Sequence, residues 1–198
     1  MPNVSLVNGH IDEPKIASKS VLISIQPKWC ELIASGKKTV EVRKSRPKLE
    51  TPFKVYVYCT KGKPLLKTID NSVFIENTYK DGENLYGLYE HINGKVIGEF
   101  VCDKITDARD MGGDEFYPKS CLTYEDWRKY TDGTKNTIWL WHISNLVIYD
   151  KPRELSEFSS GSSRLEFSNT EDGFPLKWSG KKRPPQSWCY VESGVEGE

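Results

Sequence analysis

The sequence predicts an α+β fold, a mixed and strongly curved sheet or barrel that carries two or more short helices. Short runs rich in β-branched and aromatic residues recur along the chain, separated by Gly, Asn and Pro. Only two stretches, 27–35 and 123–130, combine a helical period with start and stop signals. The 198 residues suit one core better than two very small ones.

The first strand is 21–25, where Val21, Leu22, Ile23 and Ile25 are apolar. The helix 27–35 has Pro27 in its first turn and Gly36 just past its end, with Trp29, Leu32 and Ile33 on one face. In the strand 39–43, Val40 and Val42 point one way and Thr39, Glu41 and Arg43 the other. Strands follow at 53–59 and 95–105, where Gly98 marks a bulge or the close approach of another backbone. Residues 138–143 are apolar on both faces, as in a central strand, and 146–149 continues it after a break at Ser144-Asn145. The helix 123–130 has Thr123 as its cap, Asp126 three residues on, and basic residues at its end. The last strand is 188–192. The loop Asp110-Met111-Gly112-Gly113-Asp114 lacks both the lysine of a phosphate loop and the ligand pattern of a calcium loop.

The expected organisation is a flexible leader over 1–19, one domain over 20–192 and a tail over 193–198. Polar stretches near 61–94 and 151–186 read as insertions, the first as a hairpin. No run of about 18 apolar residues exists, and 1–19 lacks the apolar core of a signal peptide, so the expected location is cytoplasmic, away from membranes. Cys30, Cys59, Cys102, Cys121 and Cys189 form no CxxC pair and read as reduced, mostly buried thiols, with no zinc site and no cofactor expected. Lys plus Arg is 28 and Asp plus Glu is 28, so net charge argues neither for nor against nucleic acid. Six Trp and ten Tyr suit a β-rich core or a base-stacking surface equally.

The most informative unit is Gly36-Lys37-Lys38-Thr39-Val40-Glu41-Val42-Arg43. From chemistry alone, a carboxylate between cations on one strand face reads first as a solvated salt-bridge row, because surface pairs are common and individually weak. Trp29, Trp188 and Tyr190 are candidates to stack a nucleobase, at roughly 1–3 kcal/mol per contact, with core packing the plainer reading of each. His142, in an apolar strand, reads as a satisfied core histidine. The run Lys181-Lys182-Arg183 suits phosphate contacts and a solvated loop equally.

Gly-x-Lys-x-x-Glu-x-Arg after a short helix resembles the signature of ASCH domains, and Gly36, Lys38, Glu41 and Arg43 match it without departure. The flanks resemble bacterial and phage members: Leu22-Ile23-Ser24-Ile25-Gln26-Pro27, Tyr58-Cys59-Thr60-Lys61, Val96-Ile97-Gly98-Glu99-Phe100 and Cys121-Leu122-Thr123-Tyr124-Glu125. So do His142-Ile143-Ser144 and the closing Arg183-Pro184-Pro185-Gln186-Ser187-Trp188-Cys189-Tyr190. The resemblance spans about 21–192. It implies a PUA-like mixed β pseudobarrel with a cleft beside the motif strand, and a role in recognising RNA or a modified nucleoside. The nucleic-acid-binding residues it implies are Lys37, Lys38, Glu41, Arg43, Trp29 and Trp188. Lys38 and Arg43 would meet phosphate or a base edge, and Glu41 would accept from an exocyclic amine or orient Lys38.

Some ASCH proteins are amidohydrolases that release the acetyl group of 4-acetylcytidine, and they place a Thr three residues after the motif Lys. Here that position is Glu41, which departs from a Thr-nucleophile mechanism. In a hydrolase, Lys38 and Glu41 would be catalytic, with Asp114, Glu115 or Glu125 as a downstream acid. The leading expectation is a nucleic-acid binding module for RNA or a modified base. The alternatives are a hydrolase acting on RNA or a modified nucleoside, and a protein-interaction or regulatory module in which the charged row is structural.

Overall fold

The computed structural model describes residues 19–69, 72–75, 91–132, 137–158 and 181–192. The expected leader (but for Lys19), the tail and the middle of both expected insertions lie outside the described residues. In chain order the elements are β1 (Lys19–Ile25), α1 (Pro27–Ala34), β2 (Val40–Arg43), β3 (Phe53–Cys59), β4 (Leu66–Ile69) and β5 (Ser72–Ile75). Then follow β6 (Val96–Asp107), α2 (Gly113–Ser120), α3 (Tyr124–Thr131), β7 (Trp139–Arg153) and β8 (Trp188–Glu192).

Six strands form one mixed sheet in the order β2-β7-β6-β3-β1-β8. β1 and β3 run parallel, and every other neighbouring pair is antiparallel. β4 and β5 pair separately, antiparallel. The main sheet curls into a half-barrel until its two edges meet. Arg43 on edge strand β2 reaches Ser24 on β1 and Ser187 beside edge strand β8. The curl has local causes along its long strands. The β6–β7 register shifts at three places, and each such irregularity adds bend and twist. A side chain at Gly98 would run into the carbonyl of Val147, so glycine is what lets β7 approach β6 there.

Burial divides the strand residues between two faces of the sheet. Val21, Ile23, Ile25, Phe53, Val55, Val57, Cys59 and Trp141 pack together inside the curl. Leu22, Tyr56, Tyr58 and Val191 face outwards but stay dry under Leu155 and Phe158. Val40, Val42 and Leu140 are likewise covered from outside, by Phe116 of α2 with Trp127 and Tyr130 of α3. Each large apolar side chain so buried contributes about 1.5–3 kcal/mol relative to exposure.

Two elements depart from the sequence expectation. β7 does not break at Ser144-Asn145: Asn145 adopts a left-handed conformation within one continuous strand, which asparagine tolerates better than most residues. The helix α2 was not expected, because Pro118 sits inside it and its flank is glycine-rich. Its start carries Asp114 and Glu115 and its last turn Lys119, charges that suit the helix dipole, while Phe116 anchors it on β2. By contrast α3 forms as read, with a complete capping box between Thr123 and Asp126, worth about 0.5–2 kcal/mol. No described helix is long and apolar enough to cross a membrane.

Candidate functional site

Gly36 takes a left-handed backbone after α1, as a helix-ending glycine does. The chain then turns so that Lys38 N–H donates to Leu32 O at 2.8 Å and Thr39 N–H to Lys119 O at 2.9 Å. These bonds fix the mouth of β2 between α1 and α2 and drive the Lys38 side chain inwards. Its Nζ donates to Ser120 O at 2.7 Å, satisfying a carbonyl at the end of α2. The same Nζ lies 3.4 Å from Glu41 Oε2. Glu41 Oε1 is 3.0 Å from a terminal nitrogen of Arg43. That nitrogen also donates to Ser24 O at 2.7 Å, and the other terminal nitrogen to Ser187 Oγ at 3.4 Å.

The expectation of a solvated charge row is therefore corrected. Lys38 is 3% exposed and Glu41 6%. β2 is an edge strand, but the curl presses its inner face against β1 and the start of β8, so Glu41 loses the solvent an open edge would have given it. Thr39, expected on the same face, precedes the strand and stays exposed. The buried set carries two cations and one carboxylate. Two buried N–H groups at the seam, Arg43 Nε and Trp141 Nε1, find no acceptor among the described residues. Trp141 stands opposite Glu41 in the ladder.

Around this seam lies a second layer of cations and rings. Trp29, half-buried, sits beneath both Lys28 Nζ at 4.4 Å and Lys38 Nζ at 5.2 Å. The loop 44–48 crosses the seam, and four of its residues each touch an aromatic ring. Lys44 lies over Tyr130 at 5.1 Å and Arg46 over Trp139 at 4.4 Å. Ser45 Oγ accepts from Trp188 Nε1 at 2.9 Å, and Lys48 N–H donates to Tyr190 Oη at 2.7 Å. Trp188 in turn packs on Trp141 and Tyr190, with ring centroids 5.9 and 5.5 Å away. Lys28, Lys44, Arg46 and Lys37 are exposed. Sequence reasoning missed Lys28, Lys44, Arg46, Tyr130 and Trp139. The alternating Lys44-x-Arg46-x-Lys48 was the signal available, and only the fold supplies the rings beneath it.

The remaining expected residues fall elsewhere. Glu115 pairs with Lys119 at 2.5 Å and Glu125 with Lys129 at 2.7 Å, both on exposed helix faces, and Asp114 is exposed. Glu41 is the one carboxylate paired with Lys38 among the described residues. Lys181, Lys182 and Arg183 line a separate groove beyond the end of β3. All five cysteines are free, and burial pushes the Cys30 thiol well up, which leaves it protonated and unreactive. No described group of three or more His, Cys, Asp or Glu is placed to hold a metal.

His142 Nε2 meets Thr106 Oγ1 at 3.1 Å. Burial holds its pKa below the ordinary 6.5, helped by Lys104 and Lys119 and opposed by Asp103 and Glu115. The folded state thus binds this proton less readily than the unfolded chain. Its contribution to stability is present above pH 6.5 and is lost as pH falls through the depressed folded value. Urea melts of His142→Gln are expected to fall less between pH 7 and 5 than those of the parent; equal slopes would remove His142 as the cause.

The comparisons with known proteins agree with this architecture. The ASCH domain model matches residues 23–152, more than half of the chain. Three crystal structures of ASCH from Zymomonas mobilis superpose on it. The unmodified protein has a TM-score of 0.53 at 19% identity, covering 89% of this chain and 90% of that one. A tyrosine-to-phenylalanine mutant has a TM-score of 0.54 at 18% identity, covering 87% and 90%. A serine-to-alanine mutant has 0.53 at 19%, covering 88% and 89%. At that identity the likeness speaks to the fold alone. No curated protein matches the chain in sequence. With the family model spanning the helix, the motif strand and most of the sheet, the chain belongs to the ASCH domain family.

Proposed function

We propose that this chain is an RNA-binding module that lays single-stranded RNA, or a modified nucleoside, across loop 44–48 and the seam beneath it. The observation that carries the reading is the pairing of exposed cations with half-buried rings around β2: Lys28 on Trp29, Lys44 on Tyr130 and Arg46 on Trp139. Cations beside rings serve a single strand in two ways. The charge meets phosphate, and once the flexible cation swings off the ring face to do so, that face can stack a base, at roughly 1–3 kcal/mol per base. Membership of a family generally linked to RNA binding supports the same reading. The buried Lys38–Glu41–Arg43 set adds an excess of positive charge under the surface.

In fluorescence anisotropy, wild type binds a labelled single-stranded RNA with an affinity that falls as salt rises. The Lys28→Ala/Lys44→Ala/Arg46→Ala variant is expected to bind at least about tenfold more weakly, with the salt slope reduced by roughly 0.7 per cation removed. Absent or salt-insensitive binding by wild type sinks the reading.

One observation favours a hydrolase, the 3.4 Å spacing of Lys38 Nζ and Glu41 Oε2. Their burial places it second. Its test is acetyl release from 4-acetylcytidine, and no product at high enzyme concentration removes it for that substrate.

A further inference from the structure

Beyond the end of β3 lies a groove of about 630 Å³ whose lining carries four cations, Lys61, Lys181, Lys182 and Arg183, and one carboxylate, Glu154. Glu154 is already paired with Lys95 at 3.1 Å. Lys61, Lys182 and Arg183 are exposed and have no ion pair among the described residues. Gly94, with a left-handed backbone, allows the Lys61 stem to lie across it; a side chain there would push that stem away. The groove thus carries four cations against one carboxylate that is already paired with Lys95, the electrostatic profile of a phosphate-binding surface.

Its position ties it to the seam. Residues 181–187 form a strap whose first part lines the groove. Its last part closes the seam: Pro185 O accepts from Ser24 Oγ at 2.7 Å, Ser187 O accepts from Ser24 N–H at 2.9 Å, and Ser187 Oγ accepts from Arg43. On the other wall, Thr60 N–H donates to Ile25 O at 2.8 Å, one residue from Ser24. Six residues of extended chain reach at most about 20 Å.

We infer that this groove is a phosphate-tracking site, which holds the backbone of the single strand flanking the nucleotide bound at the seam. The inference rests on the RNA-binding reading and extends it to a second, sequence-independent contact. The cations of the groove follow the sugar–phosphate backbone, and the seam with its rings holds the base. Glu154 opposes the phosphates and tempers affinity.

The test uses the full chain and two labelled probes, a trinucleotide and a single-stranded RNA of about 12 nucleotides. Wild type is expected to bind the longer probe at least tenfold more tightly. Lys61→Glu/Lys182→Glu/Arg183→Glu is expected to lose that advantage and to lower the salt slope by about 2, at roughly 0.7 per cation, while binding the trinucleotide as before. The neutral Lys61→Gln/Lys182→Gln/Arg183→Gln variant gives a smaller loss in the same direction. Glu154→Gln raises affinity for the longer probe, a change that a merely structural role would not produce. Equal binding of both probes by wild type, or an unchanged slope in the charge-reversed variant, overturns the groove and leaves the seam reading standing. Loss of long-probe binding in the groove variants with none in the Lys28/Lys44/Arg46 variant supports the groove and overturns the seam reading. Binding of neither probe by wild type overturns both.

Discussion

Glu41→Ala is expected to lower the stability of the fold by about 3–5 kcal/mol, the usual loss when one member of a buried ion pair is removed. Glu41 is the centre of the set, with one oxygen toward Lys38 and the other toward Arg43. Without it, two cations remain in a space where Lys38 is 3% exposed. Each must then find water by opening the seam or lifting α2. For a chain of this length such a loss corresponds to a fall of roughly 6–20 °C in Tm. Glu41→Gln keeps the shape and one acceptor and is expected to lose less. A double-mutant cycle with Lys38→Met separates the pair energy from the hydrogen bond that Lys38 gives Ser120 O. A melting temperature for Glu41→Ala within about 2 °C of the parent would falsify the buried, mutually compensated set.

Arg43→Ala ranks beside it. Arg43 touches the carboxylate of its own strand, the Ser24 carbonyl on β1 and the Ser187 hydroxyl beside β8. It is therefore the side chain that staples the two edges of the curled sheet. Its removal also leaves Glu41 with half its compensation. The expected loss is again about 3–5 kcal/mol. Arg43→Lys keeps a positive charge but lacks the planar fork that serves three acceptors at once. It is expected to lose about 1.5–3 kcal/mol, the value of a hydrogen bond to a charged group. The distinguishing readout is local. Amide exchange should quicken in 20–24 and 187–191 for both variants, ahead of any change in β3 or β6. Uniform quickening across the sheet would show that Arg43 supports the core in general and not the seam.

These expectations bear on function. The motif side chains lie mostly beneath the surface, so their direct energetic role is to hold the seam shut and to set its charge. The residues free to meet a ligand first are the cations and rings laid over it, together with the strap that runs from the seam into the basic groove. Motif variants are therefore expected to change stability and binding together. Variants of Lys28, Lys44, Arg46, Lys182 and Arg183, all exposed, should change binding alone.

Local physics made much of this protein legible in its sequence. The alternation of Val40, Glu41, Val42 and Arg43 separated two faces of a strand, and Pro27 with Gly36 framed α1. Thr123 with Asp126 marked the start of α3, and Gly98 marked a place where backbones come close. Each signal depends on neighbours a few residues away, which is why it survives without a structure. Tertiary structure alone decided what covers those faces. Lys38 meets a carbonyl 82 residues away, and Arg43 meets partners 19 and 144 residues away. Curling of the sheet brings them together and turns an apparently solvated charge row into a buried one. The helix α2 escaped notice for the same reason. Its own sequence, with Pro118 inside and glycine at its start, argues weakly for a helix, and the packing of Phe116 on β2 outweighs that. The groove at Lys181–Arg183 likewise takes part of its lining from Lys61, more than a hundred residues earlier in the chain.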